Sequence, residues 1–154
     1  MTFAFGCAET VFSYCGRSMG KAMDFRVHRS LRILVADGQE ASRRFLSLAL
    51  HEIGLDCVQA SDARETIDIL GSLEVHGLVL DNDLPNLGGL ETIRVIGTFG
   101  RVPPYLLLAS ILTRELQMAA LDWRATSVIP KPVDSGVFSE IVRTMLVREY
   151  GNSL

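Results

Sequence analysis

The chain has 154 residues, of which 48% are hydrophobic and 21% are charged, and its formal net charge is −3 at pH 7. This length suits one domain with a substantial core, and the weakly acidic balance argues against the clustered basic face of a nucleic-acid-binding protein. No apolar run approaches the roughly 18 residues that span a membrane. The three cysteines, Cys7, Cys15 and Cys57, have no CxxC spacing, which is typical of free thiols in a reducing compartment. We therefore expect a cytoplasmic protein with neither a nucleic-acid nor a membrane partner.

The first 29 residues differ from the rest of the chain, because aromatic residues, glycine, serine and cysteine follow one another there without a strand or helix period. We predict a poorly ordered N-terminal extension over residues 1–29, one domain over 30–150 and a short tail over 151–154. A docking peptide for a partner is the alternative interpretation of the extension.

Five short apolar runs alternate with five segments of helical periodicity along the predicted domain. The runs predict strands over residues 31–36, 55–59, 78–81, 105–109 and 127–129. The helical segments cover residues 39–52, 63–71, 89–96, 113–122 and 137–149. Since strand–helix–strand units cross over right-handed, this order predicts a doubly wound parallel α/β sheet with helices on both faces.

Three of the predicted helices carry apolar residues at helical spacing, which indicates the face that each one buries. In the first helix these residues are Phe45, Leu48, Ala49 and Ile53. In the second helix these residues are Ala63, Ile67 and Leu70. In the last helix the predicted inward residues are Val137, Ile141, Met145 and Leu146. Gly54 predicts the end of the first helix, and Asp62 with Glu65 three residues later predicts an N-terminal cap.

Three charged residues follow different predicted strands: Asp37 after the first, Asp81 at the end of the third, and Lys131 after the fifth. The carboxyl edge of an open α/β sheet is where ligands bind. Two carboxylates and an ammonium there suit Mg²⁺ and phosphate, and an aspartate can attack phosphorus to form an aspartyl phosphate. A structural ion pair at the sheet edge is the alternative.

These residues resemble the receiver domain of two-component response regulators over about residues 31–148. The pieces that match are Ile33-Leu34-Val35-Ala36-Asp37, Asp81-Asn82-Asp83-Leu84-Pro85 with Gly89, and Lys131-Pro132. The resemblance implies a flavodoxin-like (βα)₅ fold with strand order 2-1-3-4-5. It also implies that Asp81 is the phosphoacceptor, that Lys131 pairs with the phosphate, and that Mg²⁺ is bound by Asp37, Asp81 and the backbone carbonyl of Asp83.

The chain also departs from the receiver pattern, which makes it an atypical member. Receivers usually carry a second acid after the first strand, where this chain has Gly38, so we expect a weakened Mg²⁺ site. The switch hydroxyl of the family maps to Ala109, with Ser110 beside it, and the switch aromatic maps to Val128. We expect the usual relay from phosphate to the face formed by the fourth helix, fifth strand and fifth helix to be absent.

We expect a stand-alone response regulator in a phosphorelay, because no output domain is seen after residue 150. Its donor would be a histidine kinase or phosphotransfer protein, and its output would be contact with a downstream protein or with a second copy of itself. A degenerate receiver that works without phosphate is the alternative. More remotely, Asp81-Asn82-Asp83 with Ser110 and Lys131 resembles the DxD motif of haloacid dehalogenase-type phosphatases. We expect no independent enzymatic turnover.

Overall fold

A computed structural model describes residues 31–151, so the predicted extension over residues 1–29 and most of the predicted tail lie outside the described residues. The strands are β1 (Arg32–Ala36), β2 (Asp56–Ala60), β3 (Gly77–Asp81), β4 (Tyr105–Ala109) and β5 (Ser127–Pro130). The helices are α1 (Glu40–Glu52), α2 (Ala63–Ser72), α3 (Gly89–Phe99), α4 (Arg114–Asp122) and α5 (Ser135–Tyr150). The predicted alternation is confirmed, and the boundaries differ by a few residues.

The strands form one parallel sheet in the order β2-β1-β3-β4-β5, which confirms the predicted flavodoxin-like topology. All five residues of β3 and of β4 are buried, since helices cover both faces of the sheet. The strand order changes direction between β1 and β3, and a doubly wound sheet opens a crevice at the carboxyl edge there. Among residues 31–151, no helix is long and apolar enough to cross a lipid bilayer.

Alternation along the strands divides the interior into two cores. Val35 and Val79 belong to the core beneath α1 and α5. Their neighbours Leu34 and Leu80 belong to the core beneath α2, α3 and α4. Alternate positions along a strand therefore face opposite sides of the sheet, and each position packs against the helices on its own side.

The face that α1 buries differs from the predicted one. Leu46, Ala49 and Leu50 are buried, whereas Phe45 is 44% exposed and Leu48 is 66% exposed. At 3.6 residues per turn, the apolar residues of α1 cover an arc of roughly 200°, and packing against the sheet and α5 uses only part of it. The prediction for Phe45 and Leu48 was wrong for this reason.

The predicted face of α5 is confirmed for Met145 and Leu146, which are buried, and Ile141 packs against the same core. Val137 is exposed, and its neighbour Phe138 fills the core position instead. The helix ends agree with the sequence. Gly54 has φ +85° just after α1, and the carboxylate of Asp62 accepts a hydrogen bond from the amide of Glu65 at the start of α2.

Candidate functional site at the carboxyl edge of the sheet

The carboxyl ends of β1, β3 and β5 bring together the three charged side chains that the sequence singled out. The ammonium of Lys131 lies 2.9 Å from Oδ2 of Asp37 and 3.0 Å from Oδ2 of Asp81. Asp37 and Asp81 have the same strand parity as Val35 and Val79, so both side chains lie on the α1/α5 side of the sheet. The structure thus assembles one pocket from residues 50 and 94 positions apart.

Asp37 is the most enclosed member of the pocket, with 0% of its surface exposed. Its Oδ1 accepts a hydrogen bond from the amide of Gln39 at 2.9 Å. Its Oδ2 accepts hydrogen bonds from the hydroxyl of Ser42 at 2.6 Å and from Lys131 at 2.9 Å. Burial raises the pKa of Asp37, but the hydrogen bonds from Ser42, Gln39 and Lys131 outweigh burial and leave the pKa below its usual value.

Asp81 lies at the mouth of the pocket and is 6% exposed. Its Oδ1 accepts a hydrogen bond from the amide of Asp83 at 3.1 Å, and its Oδ2 pairs with Lys131. Asp83 itself is exposed. Asp81 is therefore the pocket carboxylate that an incoming group can reach, because Asp37 is covered.

The turn after Asp81 depends on two glycines. Gly88 has φ +78°, a conformation that side chains other than glycine rarely adopt. A Cβ on Gly89 would lie 2.6 Å from the backbone oxygen of Asp81, which is closer than van der Waals contact permits. Gly89 thereby lets α3 begin directly against the backbone of Asp81.

Lys131 enters the pocket from the loop after β5. Its backbone amide donates to the carbonyl of Ala109 at 2.9 Å, which ties this loop to β4, and the Lys131–Pro132 peptide bond is cis. Burial lowers the pKa of Lys131, but its hydrogen bonds and ion pairs with Asp37 and Asp81 outweigh burial and raise the pKa above its usual value. Lys131 is therefore a fixed positive charge in the pocket at neutral pH.

The position of the expected second acid is packed against the neighbouring loop. A Cβ on Gly38 would lie 3.0 Å from both Cδ and Cγ of Pro85. A side chain at residue 38 would thus require a small shift of the loop after β3. In the natural chain, Asp37 is the one carboxylate that the loop between β1 and α1 contributes to the pocket.

The three predicted switch positions occupy different environments. Ala109 is the last residue of β4 and is buried. Ser110 follows it and is exposed. Val128 packs at the edge of the core beneath α2, α3 and α4. Ala109 and Val128 carry neither a hydroxyl nor a ring.

Sequence reasoning missed three groups that surround Asp37. These are the amide of Gln39, the hydroxyl of Ser42, and the guanidinium of Arg43, which donates to the backbone oxygen of Asp37 at 2.8 Å. All three belong to the segment that starts α1. The sequence did contain a signal for these contacts, because α1 begins only three residues after Asp37. A helix that starts so soon after a carboxylate places its first residues beside it.

The side chains of the pocket can hold Mg²⁺ only if phosphate and water supply the rest of its coordination shell. No cluster of three or more histidine, cysteine, aspartate or glutamate side chains that could hold a metal occurs within residues 31–151. Mg²⁺ usually needs one or two carboxylates when phosphate and water complete its shell. The carboxylate of Asp81 meets that requirement, whereas the oxygens of Asp37 already accept three hydrogen bonds.

Comparison with known protein families gives a match to the response regulator receiver domain over residues 33–143. The response regulator MprA of Mycolicibacterium vanbaalenii is 35% identical over 102 residues, which cover 66% of this chain and 44% of MprA. MprA of Mycobacterium tuberculosis is 36% identical over 103 residues, which cover 67% of this chain and 45% of MprA. The match thus spans less than half the length of these curated relatives.

Solved structures with the same fold include two receiver domains. The receiver domain of the Francisella response regulator 1452 has a TM-score of 0.73 and 20% identity, covering 78% of this chain and 99% of that domain. A CheY-like receiver domain protein from Methanospirillum hungatei has a TM-score of 0.74 and 20% identity, covering 80% of this chain and 98% of that protein. Similarity at this level of identity establishes the fold.

Proposed function

Because this chain belongs to the response regulator receiver domain family, we propose that it is a phosphoacceptor in a phosphorelay and that Asp81 is the residue phosphorylated. The observation that carries this proposal is the pocket in which Lys131 lies within 3.0 Å of Asp81 and 2.9 Å of the covered Asp37. Phosphoryl transfer needs positioning and charge neutralisation more than covalent chemistry from the protein, and this pocket offers both.

The donor would be the phosphohistidine of a histidine kinase or phosphotransfer protein. A carboxylate oxygen of Asp81 attacks phosphorus, the bond from phosphorus to the imidazole nitrogen breaks, and the imidazole leaves with the bonding electron pair and takes up a proton. The product is an acyl phosphate on Asp81. Lys131 turns its ammonium toward the transferred phosphoryl oxygens and offsets their charge, while Asp37 keeps the ammonium in the pocket.

Mg²⁺ would be held by Asp81 and the backbone carbonyl of Asp83, with Asp37 beside them, and it would supply further neutralisation of the phosphoryl charge. We propose that this binding is weak, since Gly38 provides no carboxylate. A missing charge a few Å from a divalent cation removes an attraction on the order of a few kcal/mol at intermediate dielectric. The ion would therefore be retained mainly together with the phosphoryl group.

A protein is the proposed donor because apolar side chains are exposed on the elements around the pocket. They are Phe45 on α1, Leu87 before α3, Ile111 and Leu112 before α4, and Val137 in the first turn of α5. Such side chains suit contact with another protein surface. We propose that the output is also protein contact, in the cytoplasm, without nucleic acid and without independent turnover.

The second candidate function is a receiver that binds its partner without being phosphorylated. Two observations favour it: Gly38 removes a metal ligand, and the buried Ala109 offers no hydroxyl to a phosphoryl group. The two functions differ in whether Asp81 reacts.

The test is incubation with a small acyl phosphate and Mg²⁺, followed by intact mass spectrometry. We expect a gain of one phosphoryl group that hydroxylamine removes and that Asp81→Asn abolishes. Asp68→Asn changes an exposed carboxylate of α2 outside the pocket, so as the matched control it should retain the gain. Wild-type protein that stays unlabelled by both the small donor and a phosphorylated phosphotransfer protein would overturn the proposal in favour of the second candidate. Hydrolysis of a generic aryl phosphate would instead revive the DxD phosphatase interpretation.

A further inference from the structure

The hydroxyl of Ser42 shares one oxygen of Asp37 with the ammonium of Lys131. We infer that Ser42 is a positioning residue for phosphoryl transfer: it fixes the carboxylate of Asp37, and that carboxylate in turn fixes the ammonium of Lys131 beside Asp81. This inference rests on the proposed phosphorylation of Asp81. It gives the uncharged Ser42 a role in the pocket that Asp37, Asp81 and Lys131 form.

Two hydrogen bonds hold the carboxylate of Asp37 in one orientation. The amide of Gln39 holds Oδ1 at 2.9 Å, and Ser42 holds Oδ2 at 2.6 Å. Rotation about the terminal bond of an aspartate is otherwise broad, so two donors on different oxygens are needed to define the plane of the carboxylate. Since Oδ2 also accepts from Lys131 at 2.9 Å, that plane decides where the ammonium lies.

The orientation of the Asp37 carboxylate matters more for the position of Lys131 once Asp81 has reacted. In the resting pocket the ammonium is shared between Asp37 and Asp81. When an oxygen of Asp81 joins phosphorus, the charge on that carboxylate is lost, and Asp37 becomes the remaining carboxylate partner of Lys131 in the described pocket. The side chain of Lys131 is long and flexible, so its ammonium meets the phosphoryl oxygens from a defined direction only while Asp37 holds it on the other side. Gly38 offers no second acid to share this task.

The chain contains a matched control on the same helix. Ser47 of α1 is buried, whereas Ser42 is partly buried, and the hydroxyl of Ser47 lies 3.1 Å from the sulfur of Cys57, which belongs to β2 rather than to the pocket. Replacing either serine by alanine removes one hydrogen-bonded hydroxyl from α1, but only the change at Ser42 frees Asp37.

The experiment compares Ser42→Ala, Ser42→Thr and Ser47→Ala in the full chain by two measurements. The first is the rate of labelling by a small acyl phosphate. We expect a decrease of about tenfold in Ser42→Ala, the factor that one hydrogen bond to a charged group carries, with recovery in Ser42→Thr and less than a twofold change in Ser47→Ala. Equal decreases in Ser42→Ala and Ser47→Ala would overturn the inference.

The second measurement needs no phosphorylation and so separates failure of this inference from failure of the proposed function. It is the NMR signal of the Lys131 ammonium and of the Asp37 carboxyl carbon in the unmodified protein. We expect both signals to move in Ser42→Ala and to return in Ser42→Thr. If both signals stay at their wild-type positions in Ser42→Ala, Ser42 does not position Asp37, whatever the labelling shows.

Discussion

At the scale of single residues, the pocket balances two carboxylates against one ammonium. Hydrogen bonds from Ser42 and Gln39 and the pairing with Lys131 keep the pKa of Asp37 below its ordinary value of 3.8. Pairing with Asp37 and Asp81 keeps the pKa of Lys131 above its ordinary value of 10.5. Asp37 and Lys131 therefore both carry their charges across the neutral range, which gives the proposed phosphoryl transfer to Asp81 fixed electrostatic surroundings.

Lys131→Met tests this balance through its effect on the free energy of unfolding. A lowered pKa of Asp37 stabilises the fold above pH 3.8 and loses that effect as pH falls through the folded pKa. A raised pKa of Lys131 stabilises the fold below pH 10.5 and loses that effect as pH rises through the folded pKa. We expect Lys131→Met to cost about 2 kcal/mol near pH 7, since the ammonium is only partly buried, and the cost to shrink below pH 3.8.

Urea unfolding at several pH values measures this cost. The control is Arg44→Met, which removes an exposed ion pair with Glu40 and should change the unfolding free energy by less than about 1 kcal/mol. A cost for Lys131→Met that grows as the pH falls below neutral would contradict the assigned charges.

Gly38→Asp tests whether the missing acid accounts for weak Mg²⁺ binding. We expect the Mg²⁺ concentration that half-saturates labelling of Asp81 to fall by about 10²-fold, because a second carboxylate adds a few kcal/mol of attraction at intermediate dielectric. Gly38→Asn is the matched control, because its side chain has the same size and meets Pro85 in the same way but carries no charge. If Gly38→Asn lowers the Mg²⁺ requirement as much, then loop geometry rather than charge sets the affinity.

Asp37, Asp81 and Lys131 could be found from the sequence because each lies at or just after the end of a strand, and parallel strands end at one edge. Their contact distances confirm that the three side chains meet, while their roles stay predictions. The donors from Gln39 and Ser42 were missed because their contribution depends on how the first turn of α1 faces back to β1. The spacing of apolar residues in the sequence does not specify how the first turn of α1 is oriented relative to β1.

At the scale of elements, strand parity and helix order were predictable, and helix rotation was not. The apolar residues of α1 allow several rotations about its axis, and the one adopted exposes Phe45 and Leu48. The start of α5 shows the same effect, since Phe138 takes the core position predicted for its neighbour Val137. In both helices the choice depends on the shape of the partner surfaces, which a single sequence does not display.

The junction between β3 and α3 is the element that places Asp81, and Gly89→Ala tests it. A Cβ there would lie 2.6 Å from the backbone oxygen of Asp81, so we expect a loss of about 2 kcal/mol in the free energy of unfolding. Gly71→Ala is the control within α2, where a Cβ meets nothing within 4 Å, and it should stabilise the fold by about 0.5–1 kcal/mol. Equal effects of the two substitutions in urea unfolding would show that the close approach at Gly89 is relaxed at little cost.

At the scale of the whole molecule, the two cores separate the pocket from α4. Asp37 and Asp81 lie on the α1/α5 side of the sheet, whereas Val128 packs with the core beneath α2, α3 and α4. Ala120 is the one residue of α4 that is buried, so this helix is held by few core contacts. A signal from Asp81 to α4 would have to pass the carboxyl end of β4, where the side chain of Ala109 is a methyl group.

The consequence is that phosphorylation should leave α4 where it is. A ligand shifts a conformational equilibrium only as far as it interacts differently with the two states, and a methyl group gives the phosphoryl oxygens no hydrogen bond to draw β4 inward. With beryllofluoride and Mg²⁺ as the phosphoryl analogue, we expect amide NMR shifts to change in the loops that follow β1, β3 and β5. The amides of Arg114–Asp122 should keep their positions. Ala109→Ser, which adds a hydroxyl at the end of β4, should extend the changes into the loop before α4. Shifts across α4 in the wild-type protein as large as those beside Asp81 would mean that another route couples the pocket to this helix.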